Sequence, residues 1–470
     1  MDLDPVLLAR IQFAFTVSFH IVFPSFTIGL AAWIATLEGM WLATANDRYH
    51  LLARFWTKVF AVSFAMGVVS GIVLSYQFGT NWSRYSEVIG NVVGPLIGYE
   101  VLTAFFLEAT FLGIMLFGWN RVPAWLHFVA CVCVAVGTTL SAFWIISANS
   151  WMQYPAGHAI RDGIAVPVDW MEIVFSPTFP WRLAHMVTAA YITTAFVVFA
   201  VGAGYWLRGK AIDQAETMVK MALGLLIVLV PLQGVIGDQH GLETLKYQPV
   251  KLAAMEGHWG GPDSKPPLPW VLFGWPNAEE ERNDFQIEIP YAGSLILTHS
   301  LDGNIQGLKD FPKEDWPPLA IPFFGFRIMV GLWGIMLLTV VTGAVLWWRG
   351  RLFATGPYLK FASHLWPIGF VTVLSGWYVT EVGRQPWVAT GILRTEQAHS
   401  PVAGGSVLTT LILFVLVYGI VFSAGIYYIN RLLKKGPITT PPHVDGEDEG
   451  LKRPLSAAHE AGRSAIQPGE

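Results

Sequence analysis

Apolar runs about as long as the 20 or so residues a helix needs to cross hydrocarbon recur at roughly 13–38, 54–78, 94–118, 125–149, 185–207, 218–237, 320–348, 361–380 and 404–430. The connections between them alternate in character. Arg48, Arg54, Lys58, Arg121, Arg208, Lys210, Arg349, Arg351, Lys360, Arg431, Lys434 and Lys435 fall in every second connection or at its edges, and the bias of Lys and Arg toward the cytoplasm puts those connections inside. The pattern predicts an all-α, polytopic integral membrane bundle of about nine transmembrane helices, with the N-terminus periplasmic and the C-terminus cytoplasmic. Two outer connections are long: 150–184, with Trp151, Trp170 and Trp181, and 238–319, rich in Pro, Trp and charge. Loops of that length in a compact protein are usually functional. The chain therefore divides into helices one to six (1–237), an outer loop domain (238–319), helices seven to nine (320–435), and a tail (436–470) whose Pro, Gly and charge content predicts disorder.

Composition agrees with a membrane solvent. Of 470 residues, 53% are hydrophobic and 13% charged, with a mean hydropathy of +0.48, whereas soluble domains carry roughly 25% charge. A net charge of -4 supplies no basic footprint, so nucleic acid is set aside as a partner. The two cysteines, Cys131 and Cys133, sit in an apolar run and form neither a disulfide framework nor a CxxCH haem-attachment site. No small-residue cleavage site follows the first apolar run, which reads as a retained helix.

Polar residues inside the apolar runs are few, and such residues mark function. With helix directions set by the charge bias, His20 lies about two turns into the first helix and His185 opens the fifth. Met329 sits near the outer start of the seventh helix, and Glu381 closes the eighth. All four fall in the outer leaflet. Two imidazoles, a thioether and a carboxylate at one depth form a set of axial haem ligands, whereas a lone membrane histidine needs no more explanation than a neighbouring helix. The third helix carries Glu100 and Glu108 with no Lys or Arg to pair with, so each must be protonated, solvated in a cavity or bound to a metal. Eight residues of α-helix separate them by about 12 Å and about 80° of rotation, which suits one wall of a proton route. Trp377 and Glu381, four apart, share a face beside Arg384. Arg384 suits a haem propionate, and Arg327, two residues before Met329, invites the same reading. His127 and His364 begin cytoplasmic helices within reach of headgroups or water and are assigned no chemistry.

Five segments in order are similar to the first subunit of the cytochrome bd family of quinol oxidases, over about Arg10 to Ser400. They are QFGTNW (Gln77–Trp82), the Glu100 and Glu108 helix, SAFWIISANSWMQYP (Ser141–Pro155), FRIMV (Phe326–Val330) and GRQPW (Gly383–Trp387). The resemblance implies a bacterial inner-membrane enzyme that oxidises ubiquinol or menaquinol at the periplasmic side and reduces dioxygen to water with cytoplasmic protons, generating proton motive force without a pump. It implies that His185 and Met329 hold a low-spin haem b. His20 and Glu381 then serve a high-spin haem b and a haem d or further haem b, in an assignment left open. Glu100 matches a carboxylate beside that haem pair, Glu108 with Ser141 a cytoplasmic proton route, and Trp377 and Arg384 residues packed near the active haems. Lys251 and Glu256 match a quinol-binding pair in the outer loop, which is the short form. GDQHG (Gly237–Gly241) and a Ser-Gly-Trp in the eighth helix look like the cyanide-insensitive branch. A second membrane subunit is the expected partner, with a small accessory subunit left open. A diheme electron relay without oxygen chemistry would need ligands on both membrane faces, and a transporter would leave the His and Met pair without a role.

Overall fold

The computed structural model of the chain describes residues 4–261 and 264–438. The expected disordered tail lies, from residue 439 onward, outside the described residues. Among the described residues, eight helical segments are long and apolar enough to cross a bilayer. A ninth, Ile368–Val382, is apolar but has 15 residues, about 22 Å of rise, against a hydrocarbon core of about 30 Å. The expected bundle is therefore present, with one short member.

The helices in chain order are α1 (Pro5–Val22), α2 (Pro24–Thr44), α3 (Asp47–Thr80), α4 (Ser83–Tyr99), a π-helical turn (Glu100–Phe105), α5 (Phe106–Phe117), α6 (Ala124–Gln153), α7 (Trp170–Val174) and α8 (Phe179–Leu207). There follow α9 (Ile212–Tyr247), α10 (Pro249–Glu256), α11 (Ala292–Thr298), α12 (Ala320–Trp348), α13 (Gly356–Ala362), α14 (Ile368–Val382), α15 (Thr395–Ala398) and α16 (Gly404–Lys435). Three antiparallel hairpins sit in the connections: β1 (His158–Arg161) with β2 (Ile164–Pro167), β3 (Trp270–Asn277) with β4 (Arg282–Ile289), and β5 (Trp387–Ala389) with β6 (Leu393–Arg394).

Local chemistry fixes several boundaries. Asp4 caps α1 by accepting from the Val6 N–H at 2.9 Å, and Asn46 caps α3 by accepting from Arg48 at 3.1 Å, which satisfies amides that have no partner within the helix. Pro24 cannot donate and breaks the first span, so the Phe23 N–H tightens onto His20 O at 3.2 Å. The first span thus starts eight residues earlier than its apolar run and places His20 beside a bend. In the β1–β2 turn Asp162 and Gly163 both have positive φ, 51° and 78°, as a two-residue hairpin of this hand requires.

Other boundaries move residues between loop and helix. The fifth span starts at Phe179 rather than at His185, and the sixth runs ten residues past its apolar window to Tyr247. Arg182, His240 and Glu243 are therefore helical. The expected regular third helix is interrupted from Glu100 to Phe105, so the rotation calculated for an unbroken α-helix between Glu100 and Glu108 does not apply. Such π turns occur frequently at functional sites.

The α8 span forms the axis of the bundle. Two-thirds of its apolar window is buried, 67%, while none of the other seven long spans exceeds 33%. Small residues let its neighbours approach: a Cβ on Gly29 would meet Ala190 and Thr194, and one on Gly369 would meet Thr193. Close backbone contact of this kind substitutes for the hydrophobic drive that lipid removes. The principal apolar core, with Leu30, Leu37, Leu52, Phe60, Phe196 and Phe199, occupies the inner half. At that end Tyr205 donates to Leu433 O, Lys210 to Lys434 O and Trp206 to Phe353 O, which gathers the positively charged connections on one side, as the charge bias requires.

Candidate haem and quinol sites

The outer end of α6 is where most of the candidate residues converge. Asn149 donates to Glu381 Oε1 at 2.8 Å, and Arg182 donates to the amide oxygen of Asn149 and to Ser150 Oγ, the latter at 3.0 Å. Arg384 donates to Glu381 Oε2 at 2.5 Å. One turn further on, Gln153 accepts from Lys251 and, at 2.7 Å, from Gln248. The stem of Lys251 packs at Gly383, the residue between Val382 and Arg384. Helix ends from four parts of the sequence therefore meet on one polar segment, Asn149 to Gln153.

Among the described residues, several polar side-chain atoms of the outer half have no protein partner. Arg384 Nε and Nη1, His185 Nδ1 and Trp377 Nε1 are buried without a hydrogen bond, although the great majority of buried polar groups are paired. Arg384 and Trp377 thus offer N–H groups to an acceptor, and His185 offers a ring nitrogen that donates or accepts according to its tautomer. The His185 carbonyl accepts from Gln233 at 3.1 Å, and its ring meets that of His240 edge-on at 5.3 Å. His20 Nδ1 lies 3.1 Å from Ser70 Oγ.

Glycines face three of the four ligand candidates. A Cβ on Gly71 would lie 3.0 Å from the His20 ring, one on Gly376 3.0 Å from Met329 Sδ, and one on Gly237 3.5 Å from the His185 ring. Gly234, one turn before Gly237 on α9, packs against Trp333, one turn beyond Met329, so a single α9 turn touches both ligand helices. The hydroxyls of Ser18 and Tyr378 lie 2.6 Å apart, which ties the His20 helix to the helix that carries Glu381. Among the described residues no group of three or more His, Cys, Asp or Glu is arranged to hold a metal ion. Donors that come one per helix fit an iron that arrives with four nitrogens of its own, as in a haem.

The carboxylates of the third span occupy the seam with α6. Ser141 donates to Glu100 Oε1 at 2.7 Å, so this serine pairs with Glu100 rather than with Glu108. Glu108 is 5% exposed and its side chain crosses Gly137, where a Cβ would collide with it. Ser141 and Asn149 are two turns apart on α6, about 12 Å. One helix thus carries the partners of both Glu100 and Glu381.

In the outer loop, Lys251 and Glu256 are each 5% exposed, which removes the reading of an ordinary solvated pair. They do not bond each other. Burial, reinforced by the nearby Arg182 and Arg384, holds the Lys251 ammonium well below its usual range. Burial likewise pushes the Glu256 carboxyl up to about 7, against the opposing pull of the Arg327 guanidinium and the Trp270 N–H. Trp270 Nε1 donates to Glu256 Oε2 at 3.1 Å.

Two expectations change. Arg327 donates to the carbonyls of Leu272, Met255, Phe323, Glu256 and Val271. A guanidinium has five N–H groups, so this side chain clamps α10 and β3 onto α12 and has no donor left for a propionate. His127, expected at headgroups or water, is 2% exposed; the turn formed by residues 118–121 brings Trp119 over it. His364 is exposed, as expected. Sequence reasoning did not assign roles to Arg182, Asn149 or Gln153. Arg182 lies one turn before His185 and would have been found had the start of the fifth helix been placed correctly.

Fold and site together define a polytopic helical membrane protein with haem-ligand candidates on separate helices of its outer half. The family profile described as cytochrome bd terminal oxidase subunit I matches residues 8–437. The chain is 34% identical to cytochrome bd-II ubiquinol oxidase subunit 1 of Escherichia coli (strain K12), over 95% of this chain and 100% of that one. It is 36% identical to cytochrome bd ubiquinol oxidase subunit 1 of Bacillus subtilis (strain 168), over 94% and 98%. The solved bd oxidase from Geobacillus thermodenitrificans superposes with a TM-score of 0.84 at 30% identity, covering 93% of this chain and 100% of the matched one. The chain belongs to the cytochrome bd terminal oxidase subunit I family, a haem-bearing component of a bacterial membrane complex.

Proposed function

We propose that the chain is the haem-carrying catalytic subunit of a terminal oxidase that oxidises membrane quinol at the periplasmic loop and reduces dioxygen to water with protons drawn from the cytoplasm. Proton motive force then arises from the opposite locations of proton release and uptake, without a pump. The observation that carries this reading is the outer end of α6, where Asn149 bonds Glu381 and Arg182 while Gln153 bonds Lys251. Loop and membrane chemistry meet there on one helix end.

His185 and Met329 would hold a low-spin haem b, and His20 and Glu381 the other two haems, a high-spin b and a d-type or further b. When bound, the haems supply one-electron transfer and the site of dioxygen reduction. Arg384 and Trp377, with their unpaired N–H groups, orient a propionate. Glu256 accepts a proton from the quinol hydroxyl, and Lys251 stabilises the oxygen that becomes anionic. Glu108, Glu100 and Ser141 carry protons outward along the α5–α6 seam. A ubiquinol or menaquinol and a second membrane subunit complete the assembly. Much of the α16 surface is exposed apolar side chain, with Ile420 at 72% and Tyr427 at 68%, which is a surface for lipid or for that subunit.

Reduced-minus-oxidised spectra of the purified complex, with and without carbon monoxide, test the proposal, and a pyridine haemochrome assay identifies the haem type. The expected result is low-spin haem b together with a high-spin species that binds carbon monoxide. A colourless complex would overturn it, and low-spin haem alone would leave an electron relay.

A further inference from the structure

The inner end of the bundle holds a second titratable cluster, to which no role has been given above. Glu38, on α2, has no exposed surface. His127 Nδ1 from α6 lies 3.2 Å from Glu38 Oε2, and His50 Nδ1 from α3 lies 3.7 Å from Oε1. The second nitrogen of His127, Nε2, is 3.1 Å from the Met115 carbonyl of α5, and Cys131 Sγ is 3.8 Å from Nδ1. Trp119 covers the His127 ring at 4.1 Å and meets His50 at 5.3 Å; Trp41 packs on His50 at 4.2 Å. Arg54 is the neighbouring cation, held 5.4 Å over the Trp119 ring.

Two features separate this cluster from a structural ion pair. One histidine would suffice to satisfy Glu38, yet a second stands just beyond bonding distance, and both Glu38 Oε1 and His50 Nδ1 are left unpaired. Side-chain exposure is 17% at His50 against 3% at His127 and 0% at Glu38, so His50 is the member at the rim and the other two lie inside the bundle.

Its inner end opens onto the seam already described. Met115 lies seven residues beyond Glu108 on α5, two turns or about 10 Å. On α6 the order from the cytoplasmic end is His127, then Gly137 against Glu108, then Ser141 bonded to Glu100. We propose that His50, Glu38 and His127 form the cytoplasmic entrance of the proton route to Glu108; this rests on the reading of Glu108 and Glu100 as proton carriers. His50 takes up a proton and passes the one on Nδ1 to Glu38 Oε1. The resulting acid reorients so that the proton lies on Oε2 and protonates His127 Nδ1, and His127 releases the proton on Nε2 to a water molecule on the way to Glu108. One proton enters and one leaves, with no electron moved.

Glu38→Gln in the assembled oxidase keeps the size and hydrogen bonding that would pin three helices but cannot carry a proton. The expected result is an unchanged haem spectrum and unchanged quinol KM, with kcat lowered about a hundredfold, the lower end of what a positioned proton-transfer group contributes, and a larger solvent deuterium isotope effect. Glu38→Asp should recover much of the rate. Wild-type kcat and pH profile in Glu38→Gln would overturn the entrance. If that variant fails to assemble with haem, His50→Asn at the rim decides, and a wild-type pH profile there would overturn it equally. Glu108→Gln run in parallel separates the two levels. If it slows turnover while Glu38→Gln does not, only the entrance fails; if both turn over normally, the proton-carrier reading fails with it.

Discussion

Along α8 the character of the contacts changes over a few turns. From Ile192 to Tyr205 the helix is closed by fully or nearly fully buried apolar side chains such as Phe196, Val198 and Phe199. From Phe179 to His185 the same helix carries a buried arginine that bonds Asn149 and Ser150 and an imidazole with an unpaired nitrogen. The inner half is close-packed, and its specificity comes from shape. The outer half contains polar groups whose bonds the protein does not itself complete, and their specificity comes from what else binds there. Unpaired buried atoms occur at the inner end too, at Trp56 Nε1, Glu38 Oε1 and His50 Nδ1; the outer half differs in that they include two guanidinium N–H groups of Arg384 and a ligand candidate, His185, and the cost of leaving a buried charged donor unpaired points there to a further group.

The sharpest break of that contrast is Met329→Leu. Removing the thioether should abolish or convert the low-spin haem signal while the oxygen-side haem absorption remains, read in the reduced-minus-oxidised spectrum; an intact low-spin signal takes Met329 out of the ligand set. Next in size, Glu256→Gln should lower quinol oxidation by about a hundredfold. Because burial pushes this carboxyl up to about 7, the wild-type rate should climb as pH rises through that value, where the accepting carboxylate forms. The variant should lose the rising limb, and a retained limb would assign it to another group. In the inner half, Leu37→Ala should destabilise the protein by about 2–5 kcal/mol through the cavity it leaves, without moving any haem band. Thermal loss of the spectrum measures the first and the band positions the second, and a shifted band would show the halves to be coupled. The smallest effect belongs to Glu281→Gln, in a surface pair with Lys313 at 2.5 Å. Exposed ion pairs contribute little, so quinol oxidation should stay at the wild-type rate.

Spans, their order and their sidedness were legible because a bilayer imposes one length and one charge bias on every crossing. The four ligand candidates were legible for a related reason, since polar atoms at that depth are rare enough to stand out. Boundaries were not. Arg182 and His240 lie on turns where α8 and α9 extend past their apolar windows, and hydropathy ends where helices meet water or polar partners, not where they stop. The π turn at Glu100 leaves no mark in composition, and the use of every Arg327 donor on backbone carbonyls depends on a loop folding back over its helix.

By itself, the sequence determined a bundle of about nine apolar spans and its orientation, and offered a candidate haem-type donor set on the outer side, because each of these follows from local composition against a fixed solvent. Only the tertiary structure decided that Asn149 to Gln153 is the meeting point of loop and membrane, that Lys251 and Glu256 are buried apart, and that Glu38 sits between two histidines. Those facts depend on which helix ends arrive at the same place, and no single segment of the chain encodes that.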